Sequence, residues 1–453
     1  YTNNSGILET SNMQRTTVGF NLSPKFFNGE LSINANAQGS YVRSQEANVV
    51  TGSASRMNPT IPVMWNYPTI GNSGLTAYNG FYNILLDNGA PNTLASQNPL
   101  QELKDRKSIG NVNSSTGNLQ IDYALHWLPE LHFNLNLGYQ VSKNTTHTDM
   151  AANSIMQWRT AGLTNMGSAG AATRYQWYEL QRNTMLEFYL NYRKDFTAIK
   201  SNLDVVAGYS WQKYDYHGRS QTYVNSLGFV TNNGVIINDG TNFVLDYDQA
   251  SAANIGRPVN DAPMSRWANH LQLLSFYGRV NYMFDDTYLL TVTLRDDATS
   301  RFSKDTRWGL FPAVGLGWKI NNMSFMESTH EWLNEMKLRL GWGVTGQQDV
   351  GSYFPYLPIY TESYQQGFQY LNPNGDGSYI NPLYPEAYDA TIKWEETTTW
   401  NVGLDMAFLN NRITLGVEWY LRDTKDLLAE TIVSGWNTRD KVLSNIGRLR
   451  NMG

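Results

Sequence analysis

The stretch Leu131-His132-Phe133-Asn134-Leu135-Asn136-Leu137-Gly138-Tyr139-Gln140-Val141 decides the fold class. Its odd positions are apolar and its even positions polar or glycine. Side chains of an extended chain point alternately to opposite sides, so this stretch is a strand with one oily face and one wet face. A helix of this sequence would scatter the same residues around its whole circumference.

The pattern recurs along the chain. Leu31, Ile33, Ala35 and Ala37 oppose Ser32, Asn34, Asn36 and Gln38. Leu119, Ile121, Tyr123, Leu125 and Trp127 oppose Gln120, Asp122 and His126. Leu186 to Tyr192, Leu203 to Trp211, Leu274–Phe284, Tyr288–Leu294, Trp308–Ile320, Leu338–Val344, Trp400–Phe408 and Ile413–Leu421 repeat it. About twelve strands are predicted. The mid-strand charges Asp122, Glu187, Asp204, Arg279, Arg295, Lys337, Arg339, Asp405 and Glu418 all fall on the polar side. A Lys or Arg facing lipid at mid-bilayer costs about 2–4 kcal/mol, so the apolar side is free to meet hydrocarbon.

Between the strands, short turns alternate with long connections. Short ones lie near Pro24–Gly29, Pro129–Glu130, Lys194–Lys200, Asp285–Asp286 and Asn410–Arg412. Long ones span 44–115, 143–180, 215–268, 346–391 and 425–443. Outer-membrane barrels are built this way, with the long loops outside the cell. One short-side connection, 323–333, carries Ser324-Phe325-Met326-Glu327, a capping-box pattern that predicts a small periplasmic helix.

Composition agrees. The 453 residues include 28 Tyr and 14 Trp, with only 16% charged residues. That suits amphipathic rings at a boundary between water and an apolar phase. The net charge of −5 with no basic run argues against a nucleic-acid partner. The chain has no cysteine and no apolar run long enough for a transmembrane helix. A mean hydropathy of −0.45 fits strands whose two faces cancel. Starting at Tyr1, the chain reads as processed or partial.

The residues 288–320, YLLTVTLRDDATSRFSKDTRWGLFPAVGLGWKI, resemble a strand pair of SusC/RagA-type TonB-dependent transporters. Arg295, Asp297, Ser300, Arg301, Phe302, Trp308, Gly309, Phe311, Pro312, Gly317 and Trp318 match, and Ala298 stands where the family usually has Gly. Met336–Arg339 with Gly343–Gln347, Lys393–Glu395 with Asn401–Asp405, Asn445–Gly447 with Asn451–Gly453, and the opening Gly6–Leu8 with Arg15–Leu22 are similar to further segments of the family. The resemblance implies an all-β, antiparallel transmembrane barrel of 22 strands, of which this chain supplies about twelve. It also implies an N-terminal plug that contacts TonB, a SusD-like surface lipoprotein as lid, and import of oligosaccharides or oligopeptides. An outer-membrane location in a Gram-negative bacterium follows, with lipid and lipopolysaccharide as neighbours.

No catalytic constellation stands out, so the chain is not read as an enzyme. No Gly-rich phosphate loop, Gly-x-Ser-x-Gly or His-Glu-x-x-His occurs. His126 and His132 share a face, where ordinary hydrogen bonding outweighs a metal site. Asn372-Pro373-Asn374-Gly375-Asp376-Gly377 mimics the start of a calcium loop, but Leu383 stands where a bidentate Glu is needed. An Asn/Gly turn is the better reading, a surface calcium ion the lesser one, and no other cofactor is indicated. Loop aromatics are the candidate contacts for cargo or lid: Trp65, Tyr67, Tyr78, Tyr82, Trp177, Tyr178, Tyr353 and Tyr356. They stack on sugars and pack at interfaces, and self-packing of the loops competes with that role. Two other functions fit the alternation: a passive porin or adhesin barrel, and a secreted all-β glycan-binding protein or glycosidase. The first would lack plug and lid, and the second needs paired carboxylates in a cleft.

Overall fold

The computed structural model describes the chain apart from residues 49, 67–76, 87–91, 93, 152–153, 157–171, 226–256, 259–264, 359, 363–369, 374–378, 381–382, 386–387 and 433–440. One sheet dominates it. Its strands are β1 (Thr2–Ser5), β2 (Asn12–Leu22), β3 (Leu31–Glu46), β4 (Arg106–Leu125), β5 (Leu128–Met150), β6 (Ala172–Phe196) and β7 (Ser201–Asn225). They continue with β8 (Ser265–Phe284), β9 (Tyr288–Thr299), β10 (Trp308–Lys319), β11 (Leu333–Gln347), β12 (Glu395–Phe408), β13 (Ile413–Lys425) and β14 (Arg448–Met452). Each pairs antiparallel with the next, so the path is an up-and-down meander. Among the described residues no ladder joins β1 to β14.

The register keeps the two faces apart across the whole sheet. Leu135 of β5 lies opposite Ile121 and Phe188, and Phe188 lies opposite Tyr209, which lies opposite Phe276. The same rule carries Leu294, Pro312, Leu340, Val402 and Trp419 onto that face. Among the described residues no helix or second sheet covers it: Val417 is 56% exposed, and Phe20, Phe276, Leu316 and Trp400 are also open. A water-soluble protein does not leave such a continuous apolar surface uncovered. This is the outer wall of a transmembrane barrel, and hydrocarbon is what it faces.

The other face is polar, and its charges are cross-linked between strands. His132 Nδ1 meets Asp122 at 2.8 Å. Asp204 accepts from Asn191 and Arg193, each at 2.9 Å. Tyr277 donates to Glu187 at 2.8 Å. Arg339 grips Asp405 with two N–H groups at 2.7 and 3.0 Å, and its guanidinium lies 3.6 Å from Glu418. Asn401 completes Glu418 at 2.8 Å. Bidentate Arg–carboxylate geometry fixes the relative height of neighbouring strands as well as neutralising charge.

Strand ends depart from the sequence expectation. The long connections were expected at 44–115, 143–180 and 215–268, but β3 runs to Glu46, β5 to Met150, and β7 to Asn225, while β4 starts at Arg106. Beyond the apolar band both faces of these strands are polar: Lys143, Thr145 and Asp149 occupy the outer face, opposite Leu180, Tyr178 and Arg174. The ladder continues where the hydrophobic alternation has stopped. The main sheet holds fourteen strands on its path rather than twelve. Gly6 to Leu8, expected as strand, form the turn between β1 and β2, closed by Gly6 N–H donating to Ser11 O at 2.8 Å. The connection 425–443 holds a hairpin of its own, Leu428–Ile432 with Lys441–Asn445.

The expected helix at 323–333 is a short 3-10 helix, Ser324–Thr329, with no side-chain cap, and β11 already begins at Leu333. Six residues are too few to carry an α-helix without a packed apolar side. Phe325 stays exposed, and Trp332 turns away to stack on Phe408, ring centroids 6.1 Å apart.

Candidate functional site: the loop-walled mouth

The connections on the long-loop side are knotted together in two places, and the knots shape the entrance. The first joins the connection between β3 and β4 to that between β5 and β6. Its helix α1 (Pro99–Asp105) is capped by Asn98, whose side chain accepts from the N–H groups of Leu100 and Gln101. The Asn98 amide also donates to Val63 O at 2.9 Å and Tyr82 O at 3.0 Å. Gln101, fully buried, donates to Tyr78 O at 2.9 Å and to Asp105 at 2.7 Å, and accepts from Asn83 at 2.8 Å. Burial pushes the Asp105 carboxyl above its usual range, against the hydrogen bonds from Gln101 and Asn79. Tyr78 has 0% exposure and packs against Ile155 and Met156 from the neighbouring connection. It holds a left-handed backbone, φ 53°, a conformation that persists in a bulky residue only when its surroundings impose it.

The second knot is made by the family-like motif. Arg295 faces the lumen, where it donates to Asp297 and to Ser275, each at 2.8 Å, and lies over the Tyr277 ring. Ser300 and Gln272 exchange two hydrogen bonds at 2.9 Å, which pins the turn after β9 to β8. Arg301, only 8% exposed, pairs with Asp349 and lies 5.7 Å from the Tyr353 ring centroid. The Gly351 N–H and that Arg301 guanidinium hold the Asp349 carboxyl below its usual range. Phe302 is fully buried in a cluster with Phe311, Ile392 and Trp394, edged by Val344, Val350, Tyr356, Leu428 and Leu443. Trp394 donates to Arg307 O at 2.8 Å, and Thr306 to Ile392 O at 2.7 Å. Gly346 leaves room for the Phe311 ring where any Cβ would collide with it. The ladder between β10 and β11 starts at Ala313, just after Pro312, which has no N–H to offer. Trp308 lies on the outer wall. Ala298, at the family's Gly position, is an ordinary strand residue paired with Trp308, so no left-handed turn is required there.

The motif therefore ties four segments of three connections into one rim: 300–307, 348–357, 389–394 and the Leu428–Asn445 hairpin. It presents no nucleophile, base or ligand set to a reacting molecule. Among the described residues no group of His, Cys, Asp and Glu is placed to hold a metal ion. His126 and His132 meet different carboxylates, Glu30 and Asp122. The calcium-like run overlaps 374–378, outside the described residues.

The aromatic candidates separate into distinct environments. Tyr78 is locked inside the first knot and offers no face to a ligand. Trp65 is exposed, edge-on to Tyr82 with centroids 5.8 Å apart. Tyr353 lies against Arg301, and Tyr356 packs on the second knot. Tyr67 lies outside the described residues. Trp177 and Tyr178 point to opposite faces of β6. Trp177 is on the lumen face, 4.6 Å from the Trp267 ring, and donates to Glu179 at 3.2 Å. Tyr216 donates to the same carboxylate at 2.9 Å. Trp267 and Tyr216 were missed in the sequence because both fell inside a connection expected at 215–268. Tyr178 is on the outer face, under Arg219 and Lys143.

Lower in the lumen a polar recess of about 700 Å³ is lined by Asp122, Glu130, His132, Tyr189, Arg193 and their neighbours. The described sheet thus has an apolar outside, a polar cross-linked inside and a rim of interlocked long loops.

The sequence matches the TonB dependent receptor-like, beta-barrel family over residues 64–453. The chain belongs to that family, in its SusC/RagA group, and so to the outer membrane of a Gram-negative bacterium. It is 34% identical to the TonB-dependent receptor SusC of Bacteroides thetaiotaomicron, over 100% of this chain and 42% of the relative. It is 27% identical to TonB-dependent receptor P3 of Formosa agariphila, over 77% of this chain and 31% of the relative. The fold is shared with the RagAB peptide importer in its closed-closed state, with a TM-score of 0.70 at 17% identity, covering 98% of this chain and 43% of the other. The chain thus spans less than half the length of the relatives it matches.

Proposed function

We propose that this chain forms the wall, lumen surface and loop rim of an active outer-membrane importer of oligosaccharides or oligopeptides. The importer is energised through TonB and works with a SusD-like lid lipoprotein. The observation that carries the reading is the two-sided sheet: a largely apolar outside with Asp122, Glu187, Asp204, Arg279, Arg295, Lys337, Arg339, Asp405 and Glu418 turned inward, crowned by loops locked to one another. The SusC relative is named a TonB-dependent receptor and the RagAB neighbour a peptide importer, which supports import as the activity class. The first and last strands of the sheet leave backbone groups that cannot stay unpaired in lipid, so further strands complete the barrel.

Exposed Trp65 and lumen-facing Trp177 favour a cargo with flat faces to stack on, a property shared by sugar rings and aromatic peptides. The deciding experiment uses cells carrying the full-length receptor, with a fluorescent neutral oligosaccharide and a fluorescent oligopeptide of similar mass. Uptake of one of them is expected to vanish when TonB is deleted or the proton gradient is collapsed. Entry insensitive to both would establish a passive channel instead.

A further inference from the structure

From the row Leu137, Leu186 and Trp211 towards the loops, β4 to β8 sort their charges by face. Taken at every second position, the lumen-facing residues of 108–118, 138–148, 175–185, 212–220 and 265–273 include one charged side chain, Glu179. The opposite face of the same stretches carries Lys143, Arg182, Lys213, Asp215 and Arg219. Lower in the lumen, Glu187, Asp204, Arg279 and Arg295 make the inner face charged again. The upper inner wall is therefore neutral while charge is plentiful around it, and rings, carboxamides and hydroxyls fill it.

Four rings run through this wall. Tyr175 and Trp177 have centroids 6.5 Å apart, Trp177 and Trp267 4.6 Å, and Trp267 and Tyr216 6.5 Å. The Trp267 ring sits over Gly218, where any Cβ would collide with it. Glu179 accepts from Trp177 at 3.2 Å, Tyr216 at 2.9 Å and Gln181 at 2.8 Å, so among the described residues its donors are all neutral. Asn183 donates to Gln140 at 3.1 Å, and Tyr214 to Gln212 at 3.0 Å. An amide has two donor and two acceptor positions, so one such bond orients it and leaves others for a ligand. Gln140, Gln181, Tyr175 and Tyr214 are exposed.

Apolar ring faces beside oriented neutral donors and acceptors match a sugar, which presents C–H groups on its faces and hydroxyls around its edge. A ligand bearing several charges would lose hydration against this wall and find one carboxylate in return. We infer that the wall centred on Trp177, Trp267, Glu179 and Gln181 is a binding surface for a neutral oligosaccharide. The rings stack on pyranose faces, and Glu179 and the amides bond the hydroxyls. Trp177 stands nine residues beyond Leu186 on β6, about 30 Å along the strand. The surface thus lies above the lipid, where cargo arrives first. Resting on the importer reading, it narrows the cargo to a glycan.

The test uses the full-length receptor purified in detergent. It is titrated calorimetrically with hexasaccharides of glucose, mannose, galactose and xylose, and with an uncharged and a cationic hexapeptide. At least one hexasaccharide is expected to bind, with the same affinity at low and high salt. Trp177→Ala/Trp267→Ala is expected to weaken that binding about tenfold and Glu179→Gln to weaken it several-fold, while Trp177→Phe/Trp267→Phe retains most of it. Heat-modifiable migration checks that each barrel is intact. Binding of no hexasaccharide, equal binding by wild type and the Ala variant, or binding of a peptide instead through the same two tryptophans would overturn the assignment. Uptake by cells is read separately. A hexasaccharide that binds through these tryptophans yet enters cells without TonB would sink the importer and leave the sugar surface standing.

Discussion

Trp308 and Trp318 leave the same face of β10 ten positions apart, and each stacks on an aromatic: Phe276 of β8, two strands away, at 6.2 Å above, and Tyr288 of the adjacent β9 at 6.5 Å below. At about 3.4 Å per residue they are ~34 Å apart along the strand, and a strand tilt of about 35–45° reduces that to ~24–28 Å of height. This is the thickness of an outer-membrane apolar band between its two aromatic girdles. Leu310, Pro312, Val314 and Leu316 fill the interval on that face. The membrane position of the chain can therefore be read from one strand.

That placement is open to measurement by site-directed spin labelling, since this stretch carries no cysteine of its own. Labels at Leu310, Val314 and Leu316 are expected to collide freely with oxygen dissolved in lipid. Labels at Thr293, Gly315 and Lys319 are expected to meet a water-soluble nickel reagent. Loss of the alternation along 310–319 would remove the lipid boundary from this face.

A charge distinguishes the faces just as well. Leu135→Arg puts a guanidinium into hydrocarbon at a cost of about 2–4 kcal/mol, while Asn136→Arg adds a cation to the polar lumen. The first is expected to abolish heat-modifiable migration of the full-length receptor in membranes, and the second to leave it intact. Equal behaviour of the two would mean that the faces are misassigned.

Phe302 anchors the rim. Phe302→Ala removes a fully buried ring and is expected to cost about 3–5 kcal/mol locally. Limited proteolysis should then cut within 300–307 or 389–394 while the transmembrane strands stay protected. Gly346→Val, which forces the Phe311 ring out, is expected to give the same cleavage pattern. Unchanged protease resistance in both variants would contradict the lock.

Acid is expected to open that lock late. Asp349 has its pKa lowered below 3.8 by the Gly351 N–H and the Arg301 guanidinium. Its contribution is therefore complete above the unfolded value and is lost as pH falls through the lower folded one. Hydrogen exchange at 348–357 should stay slow at pH 5 and rise only well below pH 4, estimated from the ordinary carboxylate range. Asp349→Asn should exchange fast at every pH. An equal rise in wild type near pH 5 would disprove the ion-pair account.

Asp105 gives the opposite sign. Burial raises its pKa, so the folded first knot favours the protonated acid, and that gain fades as pH rises through the raised value. Asp105→Asn is expected to flatten the pH dependence of amide exchange at 98–105 and to slow exchange at neutral pH. Faster exchange at neutral pH would show that the ionised carboxylate holds the knot.

The fold was legible because lipid on one side and water on the other impose a period of two on every strand between Leu31 and Leu421. The strand ends were not, because above the lipid that difference disappears while hydrogen bonding continues, as at Thr145 opposite Tyr178. The motif around Arg301 and Phe302 was visible as a resemblance, but its role was not. Its partners Asp349, Ile392 and Trp394 lie 48 to 92 positions away along the chain, and nothing local marks them. For the same reason Tyr78 looked like an available aromatic, although its ring is enclosed by Ile155 and Met156. The one hint was its neighbour, the polar Asn79-Gly80 pair typical of tight turns.

β6 and β7 each run for 25 residues, although about 9–11 suffice to cross a bilayer. Their surplus is a parapet: stiff, hydrogen-bonded wall that overtops the lipid. In the importer proposed above, a molecule arriving from the loop side would meet this wall, and give up much of its freedom to tumble, before it came level with the membrane.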